Sequence, residues 1–118
     1  MTENRLGKRI EVNFPVSIYE AVNHAKIASG SMFNLSTNGM GIIADISMGV
    51  GSTLLLEFKL PKYANLEISI KSKVEVRWQS APETFVHYGV RFVSLDPVTK
   101  SRLRNFIETE LKKRKYTL

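Results

Sequence analysis

The chain has 118 residues, 43% hydrophobic and 24% charged, the balance of a folded domain rather than a disordered segment. That length suits one domain burying about two thirds of its unfolded surface. No apolar run nears the ~18 residues of a membrane helix, and the first ten residues lack the apolar core of a secretion signal. With no cysteine, disulfides and thiolate metal sites are excluded. The expectation is a small cytoplasmic protein. Of the net charge of +6, residues 100–118 supply +5, seven bases against two acids, so the remainder is close to neutral. A uniformly basic surface for DNA or RNA is not indicated.

In chain order, residues 1–9 form a basic arm containing Arg5, Lys8 and Arg9. Alternation of period two then dominates. Val12, Phe14, Val16 and Ile18 share one face, and Pro15, unable to donate to a ladder, belongs at an edge or a bulge. Weaker strands are expected over 22–35 and 39–46. Turn signals fall at Ser29–Gly30–Ser31, Thr37–Asn38–Gly39, Gly49–Val50–Gly51 and Pro61–Lys62. Leu54, Leu56, Phe58 and Leu60 alternate again, followed by a long run from Leu66 through Ile70, Val74 and Val76 to Trp78. A run of that length in register suggests a bent strand wrapping a barrel. Val86, Tyr88, Val90 and Phe92 close the series.

After Asp96–Pro97 the period changes. Asp96 has the chemistry of an N-cap and Pro97 that of a first helical residue. Leu103, Phe106, Ile107 and Leu111 then form the apolar stripe of a helix over 97–115. The pattern reads as all-β: about six antiparallel strands over 10–94 with a C-terminal α-helix, in one domain spanning 1–118. Its interior is expected to hold Val12, Phe14, Leu56, Phe58, Ile70, Val76, Val90 and Phe92. Trp78 shares their parity.

Catalytic constellations are scarce. His24 and His87 are far apart without metal-spaced partners, and no acidic pair, phosphate loop or nucleophile elbow appears. No enzyme, metal or cofactor is expected.

Two segments stand out: Arg5-Leu6-Gly7-Lys8-Arg9, and Asn34-Leu35-Ser36-Thr37-Asn38-Gly39. Each has a plain explanation, since terminal arginines are usually solvated and Asn, Ser and Gly suit a turn. Together, R-x-x-x-R followed by [D/N]-x-S-x-x-G resembles the PilZ domain, the bacterial receptor module for cyclic di-GMP. The resemblance extends through Val74–Trp78 and through Tyr88-Gly89-Val90-Arg91-Phe92, with Asn34 standing where Asp is commoner. It implies a six-stranded antiparallel β-barrel with a C-terminal helix and a non-enzymatic receptor that signals to a separate, unidentified protein. It also implies a ligand site of Arg5, Arg9, Asn34, Ser36 and Gly39, with Trp78 as a stacking candidate at the barrel rim. Arginine suits a guanine edge, and Lys8 would serve only phosphate. The arm would close over the ligand, and Gly39 would permit a left-handed turn and a close backbone approach. Two alternatives are a PilZ-type interaction adaptor that binds no nucleotide and a nucleic-acid-binding barrel using Trp78 and the basic tail.

Overall fold

The computed structural model describes residues 9–63, 66–80 and 85–115. Arg5, Lys8 and most of the arm expected to close over a ligand lie outside them. Six strands are formed: β1 (Ile10–Glu20), β2 (Lys26–Leu35), β3 (Gly39–Ala44), β4 (Thr53–Tyr63), β5 (Leu66–Ser80) and β6 (Val86–Phe92). They close into an antiparallel barrel in the order β1-β2-β3-β6-β5-β4, and α1 (Pro97–Lys115) follows.

Alternation explains the core. Leu56, Phe58, Ile70, Val76, Val90 and Phe92 are buried inside, as their shared parity requires. Val12 and Phe14 are only partly buried, because β1 pairs with β4 from Ser17 onward and its first half is covered otherwise. That cover is α1. Phe106 packs on Phe14 at 6.0 Å between ring centroids, and Arg114 Nη2 donates to the Glu11 carbonyl at 2.6 Å. Leu103 and Ile107 are buried, while Phe106 and Leu111 are half-buried against the core. Pro15 lies in this half of β1, beside β2 only and next to a register shift between Glu11 and Phe14. A residue without an N–H is tolerated there.

Several boundaries differ from the sequence expectation. β2 starts at Lys26, not 22, because Asn23 Oδ1 accepts the Ala25 N–H at 2.8 Å and His24 takes a positive φ of 63°. Ser29–Gly30–Ser31 is strand rather than turn; a side chain on Gly30 would meet the Ile43 carbonyl of β3. β3 ends at Ala44 because the chain beyond it bonds to a side chain instead of a ladder. The buried Tyr88 hydroxyl donates to the Ile46 carbonyl and accepts the Met48 N–H at 2.9 Å. Pro61–Lys62 is not the turn either, since β4 runs on to Tyr63 with Pro61 in a register irregularity.

α1 begins where its cap requires. Asp96 Oδ1 accepts the Thr99 N–H at 2.8 Å and Oδ2 accepts the Thr99 hydroxyl at 2.9 Å. These two bonds, the backbone one foremost, hold the Asp96 carboxyl below the usual aspartate range. A carboxylate with a lowered folded pKa stabilises the fold above its unfolded value, about pH 4, and loses that effect as pH falls through the folded value. Asp96→Ala is therefore expected to lower the melting temperature at pH 7, and the gap from the unmodified protein should narrow at pH 3. Equal gaps at both pH values, in melts followed by circular dichroism, would refute the charged cap.

Candidate functional site

The register of five strands builds the site. Glu11 of β1 pairs with Asn34 of β2, Asn34 with Gly41 of β3, Gly41 with Gly89 of β6, and Gly89 with Trp78 of β5. Residues distant in sequence thus form one row across the barrel wall. A hollow of about 200 Å3 lies along it, and its lining includes Arg9, Asn34, Ser36, Gly39, Trp78 and two further arginines, Arg77 and Arg91. Five of the six site residues expected from the sequence are therefore brought together, and the sixth, Arg5, lies outside the described residues.

Arg9 is exposed and directly precedes β1, which fixes its backbone beside the end of β2. Asn34 Oδ1 accepts the Gly41 N–H at 2.8 Å. Among the described residues its side-chain NH2 has no partner, leaving donors for the hollow. Ser36 is committed to its own turn. Only 2% exposed, its Oγ accepts the N–H groups of Asn38 and Gly39 at 3.1 and 3.2 Å and donates to the Gly39 carbonyl at 3.3 Å. It shapes the β2–β3 turn rather than presenting a hydroxyl.

Gly39 is needed for one of the two expected reasons only. Among the described glycines just Gly51 has a positive φ, so the left-handed turn at Gly39 is not formed. A Cβ there would instead lie 2.0 Å from the Val90 carbonyl oxygen, so β6 can approach this closely only over a glycine.

Trp78 departs from its parity. Val76 pairs with Val90 and Trp78 with Gly89, so Arg77 is an extra residue and the strand bulges. The bulge turns Trp78 out of the core, leaving it 45% exposed, with the nitrogen edge of its indole over Gly89. Gly41 is covered in the same way by the ring of Phe33, which also packs against His87 at 5.6 Å. The two glycines leave room for two rings to lie close against the backbone.

Arg77 and Arg91 are not among the site residues expected from the sequence. Their signal was outward parity beside the bulge, and it becomes legible only once β5 and β6 are in register. The Glu75 carboxylate accepts from Arg91 Nη2 at 3.0 Å and lies 3.5 Å from Arg77 Nη1. The Arg91 hydrogen bond is the main reason its carboxyl lies below the usual glutamate range. Three guanidinium groups, an amide, a tryptophan and a tight turn suit a planar, anionic, hydrogen-bonding ligand. A second groove of about 280 Å3, between α1 and the ends of β4 and β5, is floored by Leu60, Ile68 and Phe106 and contains none of these residues. Among the described residues no cluster of three or more metal-ligating side chains occurs, and no helix is long and apolar enough to cross a membrane.

Comparison with known proteins agrees with the fold. Inhibitor of motility (MotI/DgrA) from Bacillus subtilis superposes with a TM-score of 0.73 at 19% identity, over 90% of this chain and 51% of that one. The PilZ domain of YcgR from Escherichia coli, solved with c-di-GMP, gives 0.68 at 13% identity, over 95% and 97% of the two chains. A longer YcgR in complex with c-di-GMP gives 0.75 at 14% identity, over 92% and 46%. The chain thus spans about half the length of MotI and of the longer YcgR. No curated protein sequence matches significantly. These likenesses establish the fold, and the PilZ domain family profile matches residues 3–109. A barrel in this strand order, closed by a C-terminal helix and matched over nearly its whole length, belongs to the PilZ domain family.

Proposed function

We propose that the chain is a non-enzymatic receptor for cyclic di-GMP that acts in the bacterial cytoplasm and signals to a separate protein. The observation that carries this reading is the convergence of Arg9, Asn34 and Trp78 with Arg77 and Arg91 around one hollow. Two YcgR structures with the same fold were determined with this ligand. Its two phosphates call for cations, and its guanines present O6 and N7 to an arginine fork. Arg9, together with Arg5 from the arm, would take a guanine edge or a phosphate. The Asn34 amide would donate to the second base or the sugar-phosphate, Trp78 would stack, and Gly39 would keep the turn close to β6.

Titration calorimetry with cyclic di-GMP tests the assignment. Asn34→Ala should weaken binding by roughly tenfold or more, since ligand hydrogen bonds with a charged partner contribute about 1.5–3 kcal/mol. Ser36→Ala should instead lower thermal stability, by about 1 kcal/mol, because its hydroxyl holds the turn. No measurable binding by the unmodified protein would refute the receptor reading and favour an adaptor that binds no nucleotide.

A further inference from the structure

Glu75 belongs to neither motif and does not line the hollow, yet it holds two of the hollow's three cations. It lies on β5 directly opposite Arg91 of β6 and two residues before Arg77. One oxygen, Oε1, receives Arg91 Nη2 at 3.0 Å and Arg77 Nη1 at 3.5 Å. Among the described residues neither arginine has another acidic partner. All three side chains are partly exposed, Arg77 at 58%, Arg91 at 48% and Glu75 at 32%. Pairs this open to water are weak and easily exchanged. A phosphate can offer each guanidinium group two oxygens, where Glu75 gives both arginines the same one.

Resting on the reading of the hollow as a site for an anionic dinucleotide, we propose that Glu75 is a built-in competitor that occupies Arg77 and Arg91 until a ligand phosphate displaces it. In the free protein the carboxylate neutralises part of the charge around the hollow and keeps both arginines folded down on the β5–β6 wall. A weakly held anion gains too little to displace it, whereas a ligand whose two phosphates are held in place by its anchored bases can. Glu75 thus sets how strong an anion must be before the site accepts it. The low folded pKa of its carboxyl agrees with a group ionised at neutral pH.

Glu75→Gln separates this role from that of a strut. Glutamine keeps a side-chain oxygen that can accept from Arg91 but removes the charge. Calorimetry should show cyclic di-GMP binding roughly three- to tenfold more tightly to the variant, the gain expected from removing one like charge beside the phosphates. The gain should shrink as salt is raised from 50 to 500 mM. Glu57→Gln, on β4, the strand that takes no part in the row of paired site residues, where it faces Lys71 and is bonded to Tyr19, should leave the affinity unchanged. Unchanged or weaker binding by Glu75→Gln would overturn the proposal, as would an equal gain in Glu57→Gln, which would mark a general charge effect. If neither the unmodified protein nor the variant binds the dinucleotide, the receptor reading fails, and inorganic pyrophosphate decides on Glu75 separately. Tighter pyrophosphate binding by the variant supports the competitor, and equal binding removes it.

Discussion

Arg9→Ala is expected to weaken cyclic di-GMP binding by about 1–3 kcal/mol, roughly five- to 150-fold, while leaving the melting temperature nearly unchanged. The asymmetry follows from position. Arg9 is exposed and precedes the first ladder residue, so the barrel gains little from its side chain. A ligand in the hollow gains a planar fork that can pair with a guanine edge or grip a phosphate. Arg9→Lys should recover only a small part of the loss, because the ammonium keeps the charge but not the fork. Calorimetry on the three proteins at one salt concentration reads both effects. Lysine performing as well as arginine would show that Arg9 supplies charge alone, and unimpaired binding by the alanine variant would remove it from the site. Arg5→Ala should behave in the same way if the two ends of R-x-x-x-R share the ligand.

The residues of the site differ in how far the sequence reveals them, and the difference is physical. The barrel interior is legible because a strand alternates its faces every residue, a local property that Leu56, Phe58, Ile70 and Val90 display without knowledge of their partners. The start of α1 is legible for a similar reason: Asp96, Pro97 and Thr99 are neighbours, and the cap they form spans four residues. Ser36 is half legible. Asn, Ser and Gly announce a turn, but which backbone groups the hydroxyl engages depends on how β3 leaves that turn. Trp78 is misread by parity because the extra residue at Arg77 is set by pairing with β6 across the sheet. Arg91 and Glu75 escape notice for the same reason. They are sixteen residues apart in sequence, and only the register places them opposite one another. Signals carried within one strand or turn survive in the sequence, whereas those that need two strands in register do not.

Gly89 tests that cross-strand geometry most directly. A Cβ on this residue would lie 2.0 Å from Trp78 Nε1, and all three of its closest neighbours are indole atoms rather than backbone. Gly89→Val must therefore push the indole away from β6, and the half-exposed Trp78 has space outside the barrel into which to move. Stacking of a base on an aromatic ring contributes about 1–3 kcal/mol, so displacing the ring should weaken cyclic di-GMP binding by roughly five- to 150-fold. Trp78→Ala should cost a similar amount by removing the ring itself. The decisive measurement is the double variant. If Gly89→Val acts only by moving Trp78, combining the two substitutions should add little to either alone, since both remove the same interaction. Fully additive losses would mean that valine at 89 blocks the hollow independently of the indole. The fluorescence of Trp78, the chain's one tryptophan, gives a second reading. Its emission should shift toward longer wavelength in Gly89→Val without ligand, as the ring leaves the β6 backbone for water, and cyclic di-GMP should perturb it less than in the unmodified protein. An unshifted spectrum together with normal binding would show that the indole tolerates a neighbouring side chain, and that a glycine beneath it is not what sets the ligand-binding geometry.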